Sequence, residues 1–503
     1  MKKIISFLWK NWYYFLLVFP FVEIFYVNRS PTNDIWFLLN NGRYVLNHGI
    51  PYIEPFTIHE GLHYVMQQWL SSTIFYGIYS KLGGYGLLTF TILISFIIII
   101  VYYKLCYRIS NNKLISILIT VGLFFVGRKY FVIRPQLFTY LILLLELFCM
   151  EEYIKTNDGK KLIWMPVLSI LLINMHASMW LLQFVFMLPI LCNCIRIKNI
   201  TIDKIRFKPL LYTLLLMLLG GFINPYGYKA ITYVFDSYNI PEINKLVTEM
   251  MPVSIDTRTG KFLIIAILLV VLISNYQKRK KMDIRHLLLI CGTALLAFMH
   301  DKCVVFFWFY FGYCLAYLLA DIKNLRINNK YLVSLVRGIK GSLMVCLVVT
   351  IVYSSIILYK NYEFKNTSIP DITNYILDNY DKNDVILFVD YDDGGYTEFM
   401  GLKSYFDPRA EVFHNKLNKK DNIIKEALGL EKATDEYYDK FIKKYNFTHL
   451  IISGYLSDFT EYMNKNDNYV LEYNQYFESN KDTYITNRLF VRKDISIKKN
   501  EVS

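Results

Sequence analysis

The chain has 503 residues, 54% of them hydrophobic, 17% aromatic and only 19% charged. With a mean hydropathy of +0.30, that balance argues against an ordinary water-soluble globule. The net charge of +14 does not mark a nucleic-acid surface, because the Lys and Arg residues fall in short clusters between apolar runs and not along one stripe.

A span needs about 20 mostly apolar residues to cross a hydrocarbon core of about 30 Å. Runs of that kind occupy 11–27, 85–106, 114–127, 136–153, 162–178, 180–195, 209–223, 260–276, 286–299, 303–320 and 341–359. They predict an α-helical polytopic membrane bundle of about eleven spans over residues 1–359, with tilted or interrupted helices where the run is short. The basic clusters lie in alternate loops, for example at Lys104 and Arg108, at Lys155 to Lys161, at Arg196 to Lys208 and at Lys278 to Lys281. Lys and Arg accumulate on the cytoplasmic side of short loops. The expected placement is therefore a multi-pass protein of the cytoplasmic membrane, with the N-terminus inside and the region after residue 360 outside. The first run lacks a small-residue cleavage site and reads as an uncleaved span. All eight cysteines precede residue 360, so no disulfide framework is expected in the tail, and Cys192 and Cys194 read as apolar filler.

The first external loop, residues 28–84, carries more than a connector needs. Residues 34–47 place Ile35, Trp36, Leu38, Leu39, Val45 and Leu46 at helical spacing, with Asp34, Asn40, Asn41 and Arg43 between them. That pattern predicts an amphipathic helix lying on the membrane surface. A Gly-Ile-Pro turn, an extended stretch and a second apolar helix from about Gln68 to Leu82 follow. His59-Glu60-Gly61-Leu62-His63 fits the H-E-x-x-H pattern of zinc peptidases. Pro51, Pro55 and Gly61 make the segment a turn between strands, where a spacing of four no longer aims both imidazoles at one point.

Polar groups then recur at the outer ends of the spans: Asp34; Arg134-Pro135-Gln136; Asn174 and His176; Asn224 to Gly227; His300-Asp301-Lys302. Ionisable groups at membrane depth are costly and by default mark function. Together they predict an outward-facing polar cavity with anionic and cationic members, suited to transfer from a lipid-linked donor. A carboxylate would take a proton from the acceptor, and Arg or Lys would hold the phosphate of the departing carrier. The tail, residues 360–503, predicts a separate extracytoplasmic α/β domain with a mainly parallel sheet: a helix at about 370–380, a strand from Asp384 to Asp390, a Gly394-Gly395 loop, a strand-like segment near Val412, a helix near 431–445 and a strand from His449 to Ser453.

In order along the chain, Asp34-Ile35-Trp36, Gly42-Arg43-Tyr44, Gly49-Ile50-Pro51, Glu54 to Thr57 and Gln68-Trp69-Leu70 resemble the first external loop of bacterial GT-C-fold glycosyltransferase-like membrane proteins. Arg134 to Gln136, Asn174 with His176, Asn224 to Gly227, Glu249 with Pro252, His300 to Lys302, Phe388 to Tyr396 and Phe406 to Arg409 match that family's later elements. The resemblance implies an inverting transferase that uses a polyprenyl-phosphate-linked sugar. An acidic residue of the first external loop is then the catalytic base. That role falls on Asp34, with Glu54 positioning the acceptor or a metal. Arg43, Arg134, Gln136, His176, Asn224, Glu249, Asp301 and Lys302 become the substrate- and phosphate-binding candidates. The sequence departs from the family at Gln67-Gln68, where a His-Glu often stands. The acceptor would be an envelope glycan, lipid or protein, with membrane lipids as further partners and no nucleic acid. A divalent metal remains open as cofactor, without a clear ligand motif. Two rival readings are a transporter or flippase of lipid-linked glycans, against which no internal repeat is seen, and a non-catalytic envelope scaffold.

Overall fold

The computed structural model describes residues 12–28, 30–195, 197, 201–237, 240–276, 282–320, parts of 341–356, 362, 364, 369–478, 483–495 and 497. The chain forms two compact units: Met1–Ser30 with Gly84–Ile231 and Thr248–Glu363, and Pro31–Gly83 with Thr232–Val247 and Phe364–Ser503. Segment 31–83 therefore shares its unit with the tail, whereas the sequence groups residues 28–84 with the membrane part.

The first unit is helical. Its innermost helix is Val304–Leu318, in which every residue but Phe311 is buried. A helix apolar all round must be covered all round, and neighbours approach it closely: a Cβ at Gly312 would lie 2.1 Å from the Tyr102 hydroxyl oxygen, which donates to Phe309 O at 2.9 Å. At the periphery the apolar surface is left bare. Leu215, Leu216, Leu218 and Leu219 of Phe207–Gly220, and Leu268, Leu269, Val271 and Leu272 of Arg258–Tyr276, are exposed. Apolar area on that scale belongs against lipid. Among the described residues, Trp69–Ser110, Ala177–Cys194 and Arg258–Tyr276 are long and apolar enough to cross a membrane. Of the other expected spans, that at 136–153 falls on the 21-residue helix Gln136–Thr156, that at 341–359 is described only in part, and the rest fall on shorter helices.

The unit is also tied together around Asn193, Asp203 and Asp283. Arg285 Nη1 reaches Asp283 at 2.7 Å and Asp203 at 3.0 Å. Asn193 Nδ2 donates to both Asp283 oxygens at 2.9 and 3.0 Å, and the Tyr313 hydroxyl donates to Glu151.

The second unit is built on a five-stranded mixed sheet. Strands β1 (Ile386–Phe388), β2 (Lys403–Ser404), β3 (His449–Ser453), β4 (Tyr469–Glu478) and β5 (Thr483–Arg492) lie in the order β2-β1-β3-β5-β4. β1 pairs parallel with β2 and β3, and β5 pairs antiparallel with β3 and β4. The expected β1 and β3 are present, but the sheet is not mainly parallel: its longest strands, β4 and β5, pair antiparallel. The strand expected near Val412 is a 3₁₀ turn, Ala410–Phe413.

Segment 52–64 folds back on itself, with Tyr64 N donating to Tyr52 O at 3.0 Å and Glu54 N to Leu62 O at 2.9 Å. It also extends the sheet edge through a Thr57–Ser404 bridge. His59 to His63 thus turn a hairpin, with Gly61 at φ +70°, and His59 Nε2 lies 2.7 Å from Tyr405 O.

Helix Asp34–His48 corrects one expectation. Residues 35–42 are all buried, Asn40 and Asn41 among them. It is therefore a core helix of this unit and not one with a bare face for lipid. The following helix, Trp69–Ser110, breaks at Gly83, where φ is 60°.

The Gly394-Gly395 pair is corrected as well. It lies inside helix Tyr391–Phe399, which the Asp390 side chain opens by accepting from Tyr391 N at 2.7 Å. A Cβ at Gly394 would stand 1.9 Å from Phe406 O, and one at Gly395 3.1 Å from Phe37 N. These glycines let two backbones approach the helix; they do not form a loop. Gly394→Ala is accordingly expected to destabilise by about 3 kcal/mol, the upper range for overpacking, because the obstructing atom is backbone. Thermal unfolding of the full chain checks this, and a variant melting with the parent would show that the helix backs away freely.

Candidate functional site

In the second unit, Asp34 is the first residue of Asp34–His48, after Asn33 at the N-cap position. Carboxylates are favoured in a first turn, where unpaired N–H groups carry partial positive charge. Asp34 is half-buried and has tail acids near it. Asp392 is held above the ordinary aspartate range first by burial, then by Asp390 and by Asp34. Tyr391 is raised by burial, with Glu411 and Asp34 adding to it. Asp390 is engaged by the Tyr455 hydroxyl at 2.6 Å and by Ser453 Oγ at 3.2 Å. The tail thus brings Asp392 to Asp34, a neighbour that sequence spacing could not supply.

Glu54 is placed differently from what a second catalytic acid requires. It is buried, takes the backbone N–H groups of Phe56 and Thr57 at 2.8 and 3.0 Å and accepts from Thr57 Oγ1 at 2.7 Å. Arg409 Nη2 reaches it at 2.9 Å. The same guanidinium binds Asp407 through Nε at 2.9 Å to each oxygen and Glu398 at 3.4 Å. It also stacks within 4.9 Å of the Phe56 ring and 5.2 Å of the Tyr64 ring. Burial pushes the Tyr64 hydroxyl up to about 12. Three carboxylates on one arginine cannot all ionise cheaply in a closed site. Glu398 is the one held well above its usual range, first by burial and then by Asp407. This arrangement pins the loop to the tail, and Arg409 is its hub.

In the first unit several helix ends collect the remaining candidates. Arg134 pairs with Glu249. Lys129 Nζ binds Asp301 at 2.9 and 3.0 Å, and the Tyr130 hydroxyl reaches Asp301 at 3.2 to 3.3 Å. Tyr130 also lies within the electrostatic reach of Glu249. Segment 250–253 straps across this end: His300 Nδ1 meets Met250 O at 2.8 Å, Asp301 N donates to Met251 O at 3.1 Å and Val253 N to Phe298 O at 3.0 Å. His176 Nδ1 lies 2.9 Å from Thr139 Oγ1 and feels the charge of Lys302. Arg134, Glu249, Asp301 and Tyr130 therefore form one cluster, with His176 and Lys302 a second group at these helix ends. Lys129, Tyr130 and Thr139 were missed in the sequence; the run Arg128-Lys129-Tyr130 before Arg134 was the available signal.

Two candidates have mainly local roles. Asn224 Nδ2 donates to Gly221 O at 2.7 Å and Gly227 O at 3.0 Å while its Oδ1 accepts from Tyr226 N at 2.8 Å, closing its own turn. Gln136 opens helix Gln136–Thr156, and its Oε1 is buried with no hydrogen-bond partner among the described residues. Among those residues no three His, Cys, Asp or Glu side chains gather as metal ligands, so no step is derived through a metal.

No family model and no curated protein matches this chain. Solved structures do. The oligosaccharyltransferase of Archaeoglobus fulgidus in its apo form shares the fold with a TM-score of 0.54 at 10% identity, over 88% of this chain and 69% of that one. The same enzyme tethered to an acceptor peptide with an NVT sequon gives 0.55 at 11% identity, over 96% and 74%. Its complex with zinc and sulfate gives 0.56 at 10% identity, over 94% and 73%. The chain has the GT-C fold.

Proposed function

We propose that this chain is a membrane glycosyltransferase that moves a sugar from a polyprenyl-phosphate-linked donor to an acceptor outside the cytoplasmic membrane, with a protein as the favoured acceptor class. The observation that carries the reading is the position of Asp34 within a GT-C fold: a half-buried carboxylate opening the first helix after the first apolar segment, with Asp392 of the tail beside it. Asp34 takes the proton from the acceptor's nucleophilic atom as that atom bonds to the anomeric carbon. The bond from that carbon to the phosphate oxygen breaks with inversion. The departing phosphate is met by a cation, for which Arg43, in the unit that holds Asp34, is the candidate. In the first unit Arg134 and Lys302 are proposed to bind phosphate; the partly exposed pair of Arg134 with Glu249 is worth less than about 1 kcal/mol, so an incoming phosphate can draw Arg134 away at small cost. Glu54 keeps a positioning role, through Arg409, in this reading. Glycan profiling of a deletion strain tests it; an unchanged envelope glycan and glycoprotein profile would defeat it.

The basic clusters support a cytoplasmic N-terminus and an external tail. Single cysteines at Met400 and Lys280 in a cysteine-free chain are expected to label differently in intact cells with an impermeant maleimide, position 400 reacting and position 280 staying silent. The reverse pattern would invert the topology and remove the extracytoplasmic site.

A further inference from the structure

A cavity of about 410 Å³ opens in the second unit where helix Asp435–Tyr445 ends, β4 begins and β5 ends. It lies at the opposite end of β3 from the acids of the tail. That strand, about 16 Å long at 3.3 Å per residue, separates Asn446 from Ser453, whose Oγ meets Asp390 at 3.2 Å. The walls of the cavity are held by the chain itself. Arg492 Nη1 donates to Asn446 O at 3.3 Å, and its Nε to Asp494 at 2.6 Å. Lys493 N donates to Asn468 O, and Asn468 N to Asn466 Oδ1, both at 3.0 Å. The Tyr469 hydroxyl donates to Phe447 O at 2.6 Å. Tyr469 and Ile442 are buried and give the cavity an apolar floor.

The charges of the lining cancel. Lys443 pairs with Asp439 and Arg492 with Asp494, each at 2.6 Å, which leaves Asp467 and Lys493 as one acid and one base. An ion of either sign therefore finds little net field. Hydrogen bonding of both kinds is what the cavity offers. The side chains of Asp467 and Asn468 are exposed and meet no partner among the described residues. Arg492 occupies the Asn446 Oδ1 and leaves its amide Nδ2 without such a partner. Carboxylate and amide oxygens accept, while amide nitrogens and Lys493 donate. A hydroxyl does both, so a neutral polyhydroxyl ligand with an apolar face matches this lining, and a lipid tail or an anion does not. The volume falls in the range of small-ligand sites, about 300–1,000 Å³.

We propose that this cavity is a secondary glycan-binding site, which holds a neutral sugar unit away from the reacting atoms. The void, its free groups and its charge balance carry the site; the choice of a glycan over another polyol rests on the transferase reading. The test exposes the labelled full chain, in a detergent without a sugar head group, to an array of neutral and acidic glycans. Saturation-transfer NMR then measures the affinity of each glycan retained. The parent is expected to retain neutral glycans, with an affinity that holds from about 50 to about 500 mM salt, because screening acts on charges. Asp467→Ala and Asn468→Ala should each weaken binding at least about tenfold, the scale of a lost hydrogen bond to a charged or amide group. Both side chains are exposed, so these variants should melt with the parent. Asn446→Gly suits the left-handed backbone there, φ 53°, and should weaken binding by deleting the amide. Retention of no neutral glycan, a salt-sensitive preference for acidic ones, or equal binding by parent and variants overturns the site. Binding by a parent that transfers no sugar would keep the site and dismiss the reaction. Glycan transfer by a parent that shows no such binding would do the reverse.

Discussion

Asp34→Asn is expected to give a folded, normally inserted protein whose glycan transfer falls by at least about a hundredfold. General bases contribute roughly 10²- to 10⁴-fold, and an amide cannot accept the acceptor's proton. The substitution isolates that role. Asp34 follows the N-cap residue Asn33, so the substitution removes from the helix only the charge–dipole contribution of a first-turn carboxylate, about 0.3–1 kcal/mol. It also leaves a trace independent of activity. Asp34 is one of the charges that hold the Asp392 carboxyl above its ordinary range; removing it should let Asp392 ionise at lower pH, visible by NMR of labelled aspartate carboxyls. Near-normal transfer by the variant would dismiss Asp34 as the base. The structure leaves Glu54 poorly placed to inherit the role, because its oxygens already serve Arg409, Thr57 and two backbone amides.

Arg409→Met should destabilise the second unit by about 3–5 kcal/mol, the usual consequence of removing one partner from a buried ionic cluster. Glu54, Asp407 and Glu398 are each no more than 4% exposed, and none could reach water without opening the loop at 52–64. In a thermal melt this is a fall of about 10 °C, with earlier proteolysis in that loop. Glu398→Gln is the contrasting variant. Burial and Asp407 hold the Glu398 carboxyl well above its usual range, so its protonated form is the one the fold prefers, and a neutral amide should cost little. The sign of the pH effect follows. A carboxyl raised on folding stabilises while it stays protonated, and that contribution is lost as pH rises through its folded pKa. The parent should therefore soften with rising pH above the ordinary glutamate range, and Glu398→Gln should soften less. A parent and a Glu398→Gln variant with identical pH dependence would show that Glu398 is ionised, and an Arg409→Met chain melting like the parent would remove the pin.

Local signals in the sequence reached far. The apolar run at 303–320 located a helix, the apolar runs within Asp384 to Asp390 and within His449 to Ser453 located β1 and β3, and the spacing of Ile35 to Leu46 located the helix that Asp34 opens. Proline and glycine around His59 and His63 identified a turn where a motif alone would have suggested a zinc helix. These features depend on neighbours within a turn or two, and side-chain periodicity records them.

Tertiary structure decided what those elements meet. Glu54 and Arg409 are 355 positions apart, and Arg134 and Glu249 are 115 apart; no local pattern ties such charges together, because each can be satisfied by water or by any opposite charge until the fold brings one within 3 Å. Gly394 and Gly395 read as a turn because glycine permits turns. Only the backbone of Phe406, pressed into the space of a missing side chain, shows that they permit close packing. Asn40 and Asn41 made Asp34–His48 look half-solvated. Burial by the helix Tyr391–Phe399 turned it into a core helix, and it left Trp36 and Asn40 with donors that no described residue satisfies.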